Sequence, residues 1–182
     1  MKVVRLSGLG GQGVVLAAQI LGAAAARSGL SVVQTQTYGS AARGGASRAD
    51  VILDTEAIDE LAPRRLDLLV AMSQPAHDRY LPSLASDGAL VYDSDLVRPG
   101  RKRRAWGYPA TRTARGELGS PLFANMAMLG FIVGLAEPVD AEAVRQEIKR
   151  RVKRRLEENL TAFASGLEAG TKKRPRRRPA RR

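Results

Sequence analysis

Gly8, Gly10 and Gly13 stand at the G-x-G-x-x-G spacing, the strongest concentration of chemistry-bearing positions in the chain. Glycines so spaced allow a sharp turn, a close approach of backbone to a ligand, and tight packing of a helix on a strand. The N–H groups at the start of the following helix would attract an anion. Gly10, Gly11, Gln12 and Gly13 are therefore candidate cofactor-binding residues, although the same spacing also suits a turn that only permits tight packing. A second concentration is Tyr38-Gly39-Ser40-Ala41-Ala42-Arg43-Gly44-Gly45-Ala46-Ser47, a loop by composition. Its glycines let the backbone approach a partner, and the planar guanidinium of Arg43 suits an anion or, equally, a nearby carboxylate. Tyr38, Gly39, Arg43, Gly44 and Gly45 join the candidates. Asn125 joins them as the polar exception in an apolar run; a buried amide must find partners, so it pins a neighbouring loop or faces a subunit contact.

Other polar residues carry weaker signals. Asp93 and Asp95 are spaced to hold a metal or exchange a proton, but at a strand end they are expected to cap the following segment or face solvent. His77 is the only histidine and is expected at the surface or in a loop, and there is no cysteine. The chain thus offers no disulfide, thiolate nucleophile or cysteine-ligated iron–sulfur cluster, and few zinc ligands.

The elements that must position these residues follow from pattern. Lys2–Leu6 reads as a strand and the Ala-rich run Val14–Arg27 as a helix, with Gly29 suited to its left-handed stop. Leu30–Thr35, Val51–Leu53, Leu66–Met72 and Ala89–Tyr92 read as further strands, and Ala105–Tyr108 as an edge strand. Ser73 and Pro75 open a short helix. Pro121–Leu135 reads as a buried helix, and Ala141 to about Gly166 as one long helix with a single apolar stripe. Alternating strands and helices predict an α/β fold: a Rossmann-like open, mostly parallel sheet with helices on both faces, in a single domain over residues 1–170.

The chain has 182 residues, 44% of them hydrophobic, enough for one core. Its net charge of +12 falls to +4 without the tail Thr171–Arg182, which holds eight Lys and Arg, two prolines and no acid. That tail is expected to be disordered and to touch nucleic acid only non-specifically. The apolar runs are too short to span a bilayer, so a cytoplasmic protein with no membrane partner is expected. Gln34–Thr37 contain no acid where a NAD-binding domain holds the ribose, which argues against a nicotinamide-dependent enzyme acting alone. The confinement of the charge excess to the tail argues against a dedicated nucleic-acid-binding protein.

Several motifs in order resemble one family: Gly8–Val14, Gln34–Gly39, Arg43–Val51, Leu69–Gln74, Val91–Val97, Asn125–Gly130 and Glu158–Phe163. Over nearly the whole chain to about Gly170, they resemble the gamma subunit of 2-oxoacid:ferredoxin oxidoreductases, most of all the 2-oxoglutarate type. Two positions depart from the family's usual pattern. Ser40-Ala41 stand where it often has proline and an acid, and Ser47 stands where the 2-oxoglutarate type often has cysteine. The resemblance implies an enzyme complex that turns a 2-oxoacid, coenzyme A and oxidised ferredoxin into acyl-CoA, carbon dioxide and reduced ferredoxin. It implies thiamine diphosphate, Mg2+ and iron–sulfur clusters in companion alpha and beta, and sometimes delta, subunits, with none bound by this chain alone. Coenzyme A would be the co-substrate met near the two glycine loops, or those loops would face the companion subunits.

Overall fold

The computed structural model describes residues 1–37, 45–61, 64–100 and 104–175. Lys2–Leu9 form β1, three residues longer than the apolar run suggested, because Ser7, Gly8 and Leu9 continue to pair with Arg48, Ser47 and Ala46. Alternation sends Val4 and Leu6 to one face and Val3, Arg5 and Ser7 to the other. The chain turns at Gly10–Gly13 into α1 (Val14–Arg27). That helix ends as expected: Gly29 has φ 85°, Leu30 N–H donates to Ala25 C=O, and Gly29 N–H donates to Ala26 C=O.

Then come β2 (Ser31–Thr37), β3 (Ala46–Asp54), β4 (Leu66–Ala71), α2 (Gln74–Tyr80), β5 (Leu84–Asp93) and β6 (Ala105–Tyr108). The sheet order is β2-β3-β1-β4-β5-β6. β3 runs antiparallel to both neighbours, and the other five strands point the same way. The α/β expectation holds, with one revision. The two glycine loops were expected to leave the carboxyl ends of adjacent strands, but β2 does not lie beside β1; β3 lies between them. Ala46 and Ser47 belong to β3 rather than to a loop, paired with Leu9 and Gly8.

Five helices cover the face that carries Val4 and Leu6: α1, α3 (Ala110–Leu118), α4 (Ala124–Ala136), α5 (Ala141–Arg151) and α6 (Leu156–Lys173). The other face packs on α2 alone among these helices. On that second face Arg5 and Asp50, opposite each other in register, form a buried two-pronged ion pair at 2.6 and 2.7 Å. Neither residue was singled out by sequence, because a strand's polar residue ordinarily signals a solvent face.

The expected single helix from Ala141 to Gly166 is two. Arg155 has φ 53° and breaks the run between α5 and α6, and its guanidinium lies 4.7 Å from the Phe123 ring centroid. α4 is buried all round, as expected of a run apolar on most faces. Its Gly130 and Gly134 meet Gly166 and Gly170 of α6. A Cβ on Gly130 would overlap the Phe163 carbonyl oxygen, and one on Gly166 would overlap that of Ala127.

Candidate functional site

The connection from β1 through α1 leads toward one edge of the sheet and that from β4 through α2 leads toward the other, on opposite faces. The gap between the carboxyl ends of β1 and β4 is therefore a topological switch point, where open α/β sheets bind ligands. A cleft of about 270 Å³ opens there, lined by Gly11, Gln12, Met72, Leu96, Thr111, Pro121, Leu122 and Ala124.

The glycine turn is held from below and from the side. The Gln12 amide spans the two strand ends, with Oε1 accepting from Leu9 N–H at 2.6 Å and Nε2 donating to Met72 C=O at 2.8 Å. A Cβ on Gly8 would stand 2.5 Å from that Oε1, so Gly8 makes room for the brace. Gly11 has φ 88° and Gly13 φ 71°. Asn125 Nδ2 donates to Gly13 C=O at 3.2 Å, and its Oδ1 accepts from Met126 N–H at 2.9 Å. Of the two roles expected for Asn125, it performs the first: it pins the neighbouring loop. The first turn of α1 has neither a side-chain cap nor an acidic residue, so its N–H groups keep their attraction for an anion.

The far wall is set by β5. Asp93 Oδ2 accepts from Thr111 N–H at 3.0 Å and from its hydroxyl at 2.6 Å, while Asp95 Oδ2 accepts from Arg112 N–H at 2.8 Å. The two carboxylates thus cap α3, as expected of strand-end aspartates, although the helix they cap begins far along the chain. Burial pushes the Asp93 carboxyl above the ordinary aspartate range, against the lowering pull of Thr111 and Asp95 N–H. Among the described residues no group of three His, Asp or Glu could hold a metal.

The structure brings Gly10, Gly11, Gln12, Gly13 and Asn125 together. Gly45 leads into Ala46, whose partner is Leu9, so the second loop re-enters the sheet beside the first. Tyr38, Gly39, Arg43 and Gly44 lie outside the described residues. Sequence reasoning missed Leu122 and Leu96, 72% and 41% exposed at the mouth of the cleft. Leu122 falls within the run expected to form a buried helix, and an isolated leucine such as Leu96 carries no local signal of exposure. His77 corrects a further expectation. It is buried in α2, with Nδ1 2.8 Å from Asp78 Oδ1 and Nε2 without a partner among the described residues. A larger cleft of about 570 Å³ lies at the opposite end, between Lys2, Asp67, Trp106 and Arg174. It is remote from the glycine turn and from the switch point.

A six-stranded α/β domain with a braced glycine turn at its switch point is an architecture that oxidoreductases use. Residues 3–169 match the family described as pyruvate ferredoxin/flavodoxin oxidoreductase, and the chain belongs to that family. It is 42% identical over 146 residues to the 2-oxoglutarate synthase subunit KorC of Archaeoglobus fulgidus, a match covering 79% of this chain and 76% of the other. The gamma subunit of the keto/oxoacid ferredoxin oxidoreductase of Geobacter sulfurreducens superposes with a TM-score of 0.81 at 35% identity, covering 94% of this chain and 99% of that one. The 2-oxoglutarate:ferredoxin oxidoreductase of Magnetococcus marinus, solved with 2-oxoglutarate, coenzyme A and succinyl-CoA bound, shares the fold. Its TM-score is 0.81 at 22% identity, and the match covers 94% of this chain and 31% of that one. Within the family, this chain is a gamma-type subunit of a 2-oxoacid:ferredoxin oxidoreductase.

Proposed function

We propose that the subunit serves an enzyme converting 2-oxoglutarate and coenzyme A to succinyl-CoA and carbon dioxide while reducing ferredoxin, and that its switch-point cleft holds part of coenzyme A against the companion subunits. The supporting observation is the cleft itself. Gly11 and Gln12, in the turn that leads into the uncapped start of α1, line it on one side, and Leu96, Pro121 and Leu122 supply an apolar wall on the other. Phosphate oxygens suit the first and an aliphatic arm suits the second. The named function of the Archaeoglobus relative and the ligands of the Magnetococcus enzyme support the same substrate pair.

With no cysteine, this chain cannot ligate an iron–sulfur cluster through thiolates. Thiamine diphosphate, Mg2+ and the clusters are assigned to the alpha, beta and any delta subunits, where thiamine diphosphate stabilises the carbanion left by decarboxylation. The gamma subunit's own part is to bind and orient: Gln12 and Asn125 fix the turn, and the Tyr38–Gly45 segment, Arg43 foremost, supplies the cation. A cytoplasmic location goes with this assignment, and no helix among the described residues is long and apolar enough to cross a membrane.

Arg43 provides the test. In the assembled enzyme, Arg43→Lys keeps the charge but loses the planar fork, and Arg43→Ala loses both. A charge-assisted bond of about 1.5–3 kcal/mol predicts a roughly ten- to hundred-fold rise in the KM for coenzyme A with the complex intact. Loss of the subunit from the complex on size exclusion, with the kinetics of the remaining complex unchanged, assigns the loop to subunit contact instead.

A further inference from the structure

The second face of the sheet carries an arrangement that the cleft does not use. Tyr80, at the end of α2, is 5% exposed, and its hydroxyl donates to Ala46 C=O at 3.2 Å. Three guanidiniums gather on its ring, those of Arg5, Arg79 and Arg48, with their central carbons 5.0, 5.5 and 5.8 Å from the ring centroid. Asp50 neutralises Arg5. The guanidiniums of Arg48, which is half-buried, and Arg79, which is exposed, form no hydrogen bond or ion pair with any described residue.

For half-buried Arg48 that is a costly state, whereas exposed Arg79 has water for its donors. Stacking on an aromatic ring holds a guanidinium in place but satisfies none of its N–H donors. Two like charges fixed around one ring also repel, and no ion pair with a described residue offsets this. Both are relieved by an anion. The two clefts described above do not include Arg48, Arg79 or Tyr80 in their walls. The surroundings are a broad surface. Thr35 and Thr37 of β2 lie beside Asp50 and Arg48 in register, exposed and uncharged, on the face where α2 is the only helix among those described. Small ligands favour concave sites, whereas open surfaces with placed arginines favour macromolecules.

We propose that Arg48 and Arg79, held against Tyr80, are the docking point for an acidic segment of a companion subunit, whose carboxylates complete the two guanidiniums. The inference rests on the chain being one subunit of a larger enzyme, not on where coenzyme A binds.

The test co-expresses the full chain with its companion subunits, captures the complex through a tag on a companion, and measures retention of this subunit as salt is raised. Arg48→Gln and Arg79→Gln should each weaken retention about tenfold or more, the size expected of a lost charge-assisted bond. Arg48→Glu with Arg79→Glu should release the subunit at low salt. Melting of the isolated Arg48→Gln and Arg79→Gln chains should not fall, since neither guanidinium has a polar partner among the described residues and the repulsion between them is removed. Lys153→Glu with Arg154→Glu, the same charge change in the exposed connection between α5 and α6, should leave retention intact. Full retention of the Arg48/Arg79 variants overturns the proposal. So does equal release by the Lys153/Arg154 control, which would reduce the effect to bulk charge. Intact assembly with a raised KM for coenzyme A would reassign the pair to a phosphate. Failure of the wild-type chain to co-purify removes the proposal together with the subunit assembly it rests on.

Discussion

Gly13 carries two constraints at once. Its φ of 71° is one that side-chain-bearing residues resist, and the space for its missing Cβ is filled by the Asn125 amide. Gly13→Ala should therefore cost about 1–2 kcal/mol for the backbone and a further ~1–3 kcal/mol for the overlap. In an Asn125→Ala background the second part should vanish, and a double-mutant cycle in urea should show the coupling. Strict additivity would mean that Asn125 does not hold the turn. Asp50 presents a different case. Removing it by Asp50→Ala leaves Arg5 buried and unpaired, at a cost of about 3–5 kcal/mol, whereas Arg5→Met with Asp50→Leu should be far milder. Equal losses from the single and double variants, read as denaturation midpoints, would place the pair's importance in packing rather than charge.

Among the elements, α4 and α6 depend on each other most closely, since four glycines bring their backbones into contact. Alanine raises intrinsic helix propensity by up to ~1 kcal/mol over glycine. Gly166→Ala should nonetheless destabilise by about 1–3 kcal/mol or more, because the methyl would meet the Ala127 carbonyl, which is backbone and cannot step aside. Gly116→Ala in α3 is the opposite case: nothing lies within 4 Å of its Cβ position, so this variant should gain stability. Thermal melting of the two variants gives opposite signs if the contact is as described, and the same sign if propensity alone rules. The break at Arg155 shows how an element hides in a pattern. Val144, Ile148, Val152, Leu156, Leu160 and Phe163 keep a helical spacing straight across it. The periodicity of the buried side is preserved while the backbone path is not.

At the scale of the whole chain, the tail divides differently from its composition. α6 continues through Lys173, whose Nζ donates to Gly107 C=O at 2.7 Å. Arg174 donates to Gly134 C=O at 3.0 Å and pairs with Glu137 at 2.6 Å. Ending the chain after Pro175 should leave its melting temperature unchanged and weaken only salt-sensitive binding to polyanions. Ending it after Gly170 removes these contacts and should lower the melting temperature by several degrees, on the order of 1–2 kcal/mol. Identical melting of the two truncations would show that the contacts add nothing.

The opening strand, the glycine turn, the helix with its Gly29 stop, the Ser73 cap and the all-round burial of α4 could be read from residue order. Each depends on neighbours a few positions apart, through backbone freedom, capping or apolar periodicity. The family could be read for a related reason: its motifs are short and lie in a fixed order. The placement of β3 between β1 and β2 could not. An apolar run such as Val51-Ile52-Leu53 reports that both faces are buried but not which strand pairs with it or in which direction. The Arg5–Asp50 pair, the burial of His77 and the four-glycine contact share that cause. Each joins residues far apart in sequence, and the cost or benefit of the join exists only once the sheet and helices have packed. The braced turn belongs to both levels. Its glycines are a local signal, but the use of Gln12 to bridge Leu9 and Met72, and of Asn125 to hold Gly13, was decided by the tertiary structure, because β4 and α4 reach the turn only in the folded chain.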